Sequence, residues 1–168
     1  MKTNRIVPFS VFEGFDDADI GIENKEGTVT DLNKLLSNHF ILFMKIWNFH
    51  WIIVGKRFGH IHEFFNDLYD KFFENIDNIA ERIRIIGGKP IGTLEGYLKE
   101  TELKEYTDSS IPDDTKMIEE ILKDYDTIIK QIRKYLENEK LDNGTSKFLE
   151  DLIEAHEKDA WMLRSHLK

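Results

Sequence analysis

Helix breakers are scarce in this chain, and that scarcity constrains its fold more than any other feature. Only three prolines, Pro8, Pro90 and Pro112, occur in 168 residues. Proline disrupts a helix interior, so the long proline-free stretches are open to unbroken helices. Apolar residues recur in them at helical spacing. The first stretch covers residues 30–54, with Thr28 and Thr30 as candidate N-caps and Leu32, Leu35, Leu36, His39, Phe40, Phe43, Ile46 and Trp47 on one stripe. A break follows from Gly55 to Gly59. The second stretch covers residues 60–86 and ends at Gly87-Gly88 and Pro90. Its stripe is Ile61, Phe65, Leu68, Phe72, Ile76, Ile79, Ile83 and Ile86.

A connection of about 25 residues comes next, long enough to hold an element of its own, and residues 93–103 suit a short helix. Pro112-Asp113-Asp114 opens a third helix over residues 113–139, with its acids against the positive end of the helix dipole. Asp142-Asn143-Gly144 reads as a turn, and residues 145–167 form a fourth helix. Two hairpins joined by one long crossover predict an all-α, ferritin-like four-helix bundle with a short extra helix in the crossover. The reading is one domain over residues 1–168, with residues 1–28 as an N-terminal extension.

Composition narrows the classes. There is no cysteine, which excludes disulfides and thiolate metal sites and suits a reducing cytoplasm. The segment from Met1 to Phe15 shows no signal-peptide pattern, and no window of 18 apolar residues predicts a membrane span. A net charge of −9 opposes phosphate backbones and attracts cations, although the same charge can serve solubility alone.

The second helix carries a polar line. With His62 at zero on a helical wheel, Asn66 falls near about 40°, Asp77 near about 60° and Glu81 near about 100°. His62/Asn66 and Asp77/Glu81 are i, i+4 neighbours, the spacing at which two side chains reach one ion. The two pairs cannot meet within a chain, because fifteen residues of helix span about 22 Å. They can meet across a two-fold axis. His62 with Glu81, and Asn66 with Asp77, are both centred between Lys71 and Phe72. Two antiparallel copies would therefore build two identical sites. His50 and His62 are each six residues from Lys56, so a hairpin puts them at one height. The predicted site holds His50 and His62 of one chain with Asp77 and Glu81 of another. Mixed imidazole and carboxylate donors suit iron, zinc or manganese. Other readings stay open: histidines on helices are more often structural, and Asp77 and Glu81 could be solvated or paired with Arg82 and Arg84. Glu-x-x-His, the motif of di-iron centres inside one bundle, does not occur.

Three segments carry a family resemblance. They are Asn48-Phe49-His50-Trp51 with Gly55, Phe58 and His62-Glu63; Asp77-Asn78-Ile79-Ala80-Glu81-Arg82 followed by Gly87-Gly88-Lys89-Pro90-Ile91-Gly92-Thr93; and His156-Glu157-Lys158-Asp159-Ala160-Trp161-Met162-Leu163-Arg164. From about residue 30 to the C-terminus the chain resembles the Dps family of mini-ferritins. That resemblance implies a hollow dodecamer that oxidises Fe(II), preferentially with hydrogen peroxide, and stores ferric mineral. It assigns the ferroxidase ligands to His50, His62, Asp77 and Glu81, with iron as the metal and zinc a candidate surrogate. It also sets Trp51 beside the site, where an interface role is equally open.

Two positions depart from the family. Asn66 stands where an aspartate is usual, so that subsite is expected to bind metal more weakly. Lys147 stands where an acid often lines the entry pore, with Glu139, Asp142 and Glu150 as nearby acids that could compensate. Lys2 and Arg5 are the only basic residues before Lys25, and the last helix has no basic tail. Strong DNA binding is therefore not expected. The rival expectation is a non-enzymatic dodecameric shell that buffers metal or compacts DNA.

Overall fold

The computed structural model describes residues 20–168. The stretch with Lys2, Arg5 and most of the expected N-terminal extension lies outside the described residues. Five helices follow in order: α1 (Lys25–Ile52), α2 (Phe58–Ile85), α3 (Leu94–Glu100), α4 (Asp114–Leu136) and α5 (Asn143–His166). The described residues include no strand. The four long helices form the bundle, and α3 packs on α1 from the crossover.

Several ends differ from the sequence expectation. α1 starts at Lys25 instead of Thr30, so Thr28 and Thr30 are helical and not caps. Thr30 Oγ1 returns its hydrogen bond to the Glu26 carbonyl at 2.9 Å, which lets a threonine sit inside a helix. α1 ends at Ile52, because Ile53 is already extended (ψ 138°). Gly55, at φ +121°, makes the turn. α2 starts two residues before His60, taking Phe58 and Gly59 into its first turn. α3 is shorter than residues 93–103. Thr93 caps it by accepting from the Gly96 N–H, and the chain turns extended at Thr101. Asp113 caps α4 through the Lys116 N–H, and that helix stops at Leu136 instead of Glu139. Asp142 caps α5 through the Thr145 N–H, so Asn143 and Gly144 belong to the first turn of α5 and not to a loop.

The apolar stripes meet in one core. Leu35, Leu36, Leu42, Ile46 and Phe49 of α1 are fully buried, as are Phe65, Leu68, Phe72, Ile79 and Ile83 of α2. Each such side chain contributes about 1.5–3 kcal/mol. Phe40, Trp47 and Ile76 pack at its margin.

Two buried asparagines of α1 fasten the long crossover. Asn33 donates to the Lys89 carbonyl (3.0 Å) and accepts from the Ile91 N–H (2.8 Å). Asn38 donates to Gln131 Oε1 (2.9 Å) and accepts from Thr101 Oγ1 and the Glu102 N–H, both at 2.8 Å. Gly88 must be glycine, since a Cβ there would lie 2.4 Å from Val29.

A histidine pair sits at the bundle centre. His39 Nδ1 lies 2.8 Å from the Leu35 carbonyl, and its Nε2 lies 2.9 Å from His156 Nε2. A carbonyl only accepts, so His39 carries its proton on Nδ1 and His156 donates to His39 Nε2. Phe72 stacks on His156 at 5.4 Å. Tyr125 of α4, Lys71 of α2 and Asp159 of α5 complete the polar surroundings, with Lys71 Nζ 2.6 Å from Asp159 Oδ1. Burial lowers His39 to about 4 from 6.5, and burial beside His39 and Lys71 also lowers His156 well below its usual value.

Two outcomes follow from this core. The folded pKa values lie below the unfolded ones, so stability is full above about pH 6.5 and falls as the pH drops toward 4; for His39 alone the loss is about 3 kcal/mol. Thermal melts between pH 7.5 and 4.5 should show this decline, and the paired replacement His39→Leu with His156→Phe should flatten it. Asn38→Ala removes three hydrogen bonds and leaves the buried Gln131 short of a partner, and should lower the unfolding free energy by about 1–3 kcal/mol in urea titrations.

Candidate metal centre

The α1–α2 turn brings two imidazoles face to face. His50 lies in the last turn of α1 and His62 near the start of α2. Their rings stack at 3.8 Å with planes 21° apart. Each ring is bonded to the other residue's backbone. His50 Nδ1 lies 2.9 Å from the His62 carbonyl, and His62 Nδ1 lies 2.9 Å from the His50 carbonyl. Both Nδ1 atoms must therefore carry protons, which leaves both Nε2 lone pairs free of that duty. This is the usual preparation of an imidazole for a metal: one nitrogen held by an acceptor, the other ready to donate. Phe58 stacks against His62 at 4.9 Å, and the edge of Tyr69 meets His50 at 5.1 Å.

Asn66 lies one turn beyond His62 and is half-buried. Its Oδ1 accepts from the Tyr69 hydroxyl (2.6 Å), and its Nδ2 donates to Asp70 (2.9 Å). Asp77 and Glu81 are exposed further along α2. One chain thus brings together His50 and His62 but not the two acids. Among the described residues, no cluster of three or more histidine, aspartate or glutamate side chains in the chain could hold an ion.

Arg82 turns away from Asp77 and Glu81. It bonds Asp142 at 2.6 Å and Thr145 at 3.0 Å and ties α2 to the start of α5. Burial tends to raise Asp142, but its bonds to Thr145 and the charge of Arg82 leave it below the usual carboxylate range. Asp142 is thereby committed and does not serve Lys147. The exposed Lys147 pairs instead with Asp151, one turn on.

The Trp51 ring lies 4.6 Å from that of Trp47, tilted by 45°, and Trp51 is 57% exposed. Phe73, near the midpoint of α2, is 68% exposed. Large aromatic side chains left in solvent on one face mark a contact surface.

The sequence reading did not find the reciprocal histidine–carbonyl bonds, the Tyr69 and Asp70 contacts to Asn66, or the His39–His156 pair. Spacing could have suggested the second, since Tyr69 and Asp70 lie three and four residues after Asn66. His39 read only as a stripe position, because its partner is 117 residues away.

The family described as ferritin-like domain matches residues 29–168. The DNA protection during starvation protein 2 of Bacillus anthracis is 38% identical over 138 residues, 81% of this chain and 93% of that protein. A low temperature-induced protein of Nostoc is 38% identical over 87% of this chain and 83% of its own length. Among solved structures, the Dps protein of Vibrio cholerae O1 superposes with a TM-score of 0.81 at 32% identity, covering 95% of this chain and 98% of that one. That protein is described as a member of a broad superfamily of ferritin-like diiron-carboxylate proteins. The Dps protein of Bacillus brevis gives a TM-score of 0.81 at 31% identity, covering 86% and 97%. Sequence match, relatives and fold agree: this chain belongs to the Dps family of ferritin-like proteins.

Proposed function

We propose that the chain is the subunit of a mini-ferritin that takes Fe(II) as substrate, oxidises it with hydrogen peroxide and stores the ferric product inside a hollow dodecamer. The observation that carries this reading is the histidine pair, whose mutual backbone bonds leave two Nε2 donors on one hairpin. Two imidazoles alone make a weak site. The acids that complete it would come from a neighbouring subunit: Asp77 and Glu81 of an antiparallel α2. The exposed Phe73 near the midpoint of α2, with Trp51 and Phe58 near the histidines, supports such a contact.

The reaction balances as two Fe(II), one hydrogen peroxide and two protons giving two Fe(III) and two waters. The electrons come from iron, so the chain supplies no nucleophile. His50, His62, Asp77 and Glu81 would bind and orient the two ions, and the carboxylates would stabilise the added positive charge. Consuming both reagents together protects a cytoplasm in which they would otherwise form hydroxyl radicals. Zinc, which takes the same donors, would serve as a redox-silent surrogate.

Asn66 favours a second reading. Its amide is neutral and already engaged by Tyr69 and Asp70. A shell with such a subsite could bind metal without fast oxidation. Stoichiometric iron or zinc binding with no acceleration of oxidation would select that reading.

Two measurements decide. Apo-protein loaded with Fe(II) and then given peroxide should show a fast rise in ferric absorbance, and Glu81→Ala or His62→Ala should slow it on the order of tenfold or more. An unchanged rate in both variants removes these residues from the mechanism. Duplex DNA should show no large mobility shift at about 0.15 M salt, because the net charge of −9 opposes phosphates.

A further inference from the structure

Asn66 lies one helical turn beyond His62, and an amide has two unlike ends. One end, Oδ1, can donate a lone pair to a cation. The other, Nδ2, carries two positive N–H groups and repels one. Which end faces the histidines decides whether Asn66 helps or hinders a metal ion.

The neighbours of Asn66 settle that choice. Asp70 lies one helical turn further from His62, and its carboxylate can only accept, so the end of Asn66 that meets it at 2.9 Å must be Nδ2. Oδ1 is then left on the opposite side. There it accepts from the Tyr69 hydroxyl at 2.6 Å, and the Tyr69 ring itself packs edge-on against His50. Oδ1 is thereby linked through Tyr69 to the imidazole pair, and Nδ2 is turned to Asp70. A carbonyl oxygen has two lone pairs, and the tyrosine occupies one.

We propose that Asp70 is a positioning residue of the histidine subsite: by claiming Nδ2, it presents Oδ1 of Asn66 as a neutral oxygen donor to a divalent cation held by the imidazoles. This rests on the metal site proposed above. Asp70 does not touch the ion and acts only through the amide. Tyr69 has the complementary task of holding Oδ1 in place when no ion is bound. A carboxylate at position 66 would need neither partner, since both its ends are oxygens.

Zinc titration calorimetry on the assembled protein tests the proposal, with melting and oligomer size confirming the fold of each variant. Asp70→Ala frees the amide to flip and should weaken zinc binding on the order of tenfold, whereas Asp70→Asn keeps an acceptor for Nδ2 and should stay within about threefold of the parent. Equal losses in the two variants would show that the charge of Asp70, and not its hold on the amide, matters; that overturns the proposal. Full zinc affinity in Asp70→Ala overturns it as well. His62→Ala separates the two levels. If His62→Ala loses zinc while Asp70→Ala does not, the site stands and the positioning role falls. If His62→Ala binds zinc as the parent does, the site itself falls, and the role of Asp70 falls with it.

Discussion

The mutual bonds between His50 and His62 depend on a constraint set far from any ion: α1 and α2 must run antiparallel at one fixed register. Each imidazole reaches the other helix's backbone, so a shift of one residue would break both bonds at once. Apolar packing alone does not fix register, because a helix stripe tolerates small slides. The turn at Gly55 and the buried stripes of Phe49, Ile61 and Phe65 hold the helices close. The two carbonyl contacts then select one alignment. A side chain held by a backbone atom inherits the rigidity of the helix that carries it.

The same logic runs through the core. Asn33 and Asn38 make two bonds each to the crossover, which Ile91, Tyr97 and Leu103 also anchor in the core, and each bond specifies one position of that segment. His39 and His156 join α1 to α5, with Phe72 of α2 and Tyr125 of α4 packed around them. Buried polar contacts of this kind add little net stability, but leaving one partner unmatched is costly. They therefore act mainly against misaligned packings. The bundle centre, where di-iron proteins of related architecture place Glu-x-x-His ligands, is here filled by a neutral histidine pair and the Lys71–Asp159 ion pair.

Much of this was open to inspection in the residues alone. Four stripes at helical spacing, few prolines and one long connection gave the all-α bundle and its topology. The i, i+4 polar pairs on α2 and the equal distance of His50 and His62 from the turn gave the candidate ligands. The helix ends were less legible. Thr30 was a plausible cap, and nothing local showed that its hydroxyl would bond back to Glu26. Asn143-Gly144 looked like a turn, but Asp142 caps at that point and the helix begins early.

What the sequence determined by itself depends on short separations: helix identity, faces, hairpin height and the order of the candidate ligands along α2. Those follow from a fixed rise and turn per residue. What only the tertiary structure decided is everything that depends on atoms meeting across elements. That includes which nitrogen of His50, His62 and His156 carries the proton, that Arg82 serves Asp142, and that His39 finds His156. Periodicity fixes direction along a helix, but hydrogen bonds between helices depend on packing to within a few tenths of an ångström, and no local pattern encodes that distance.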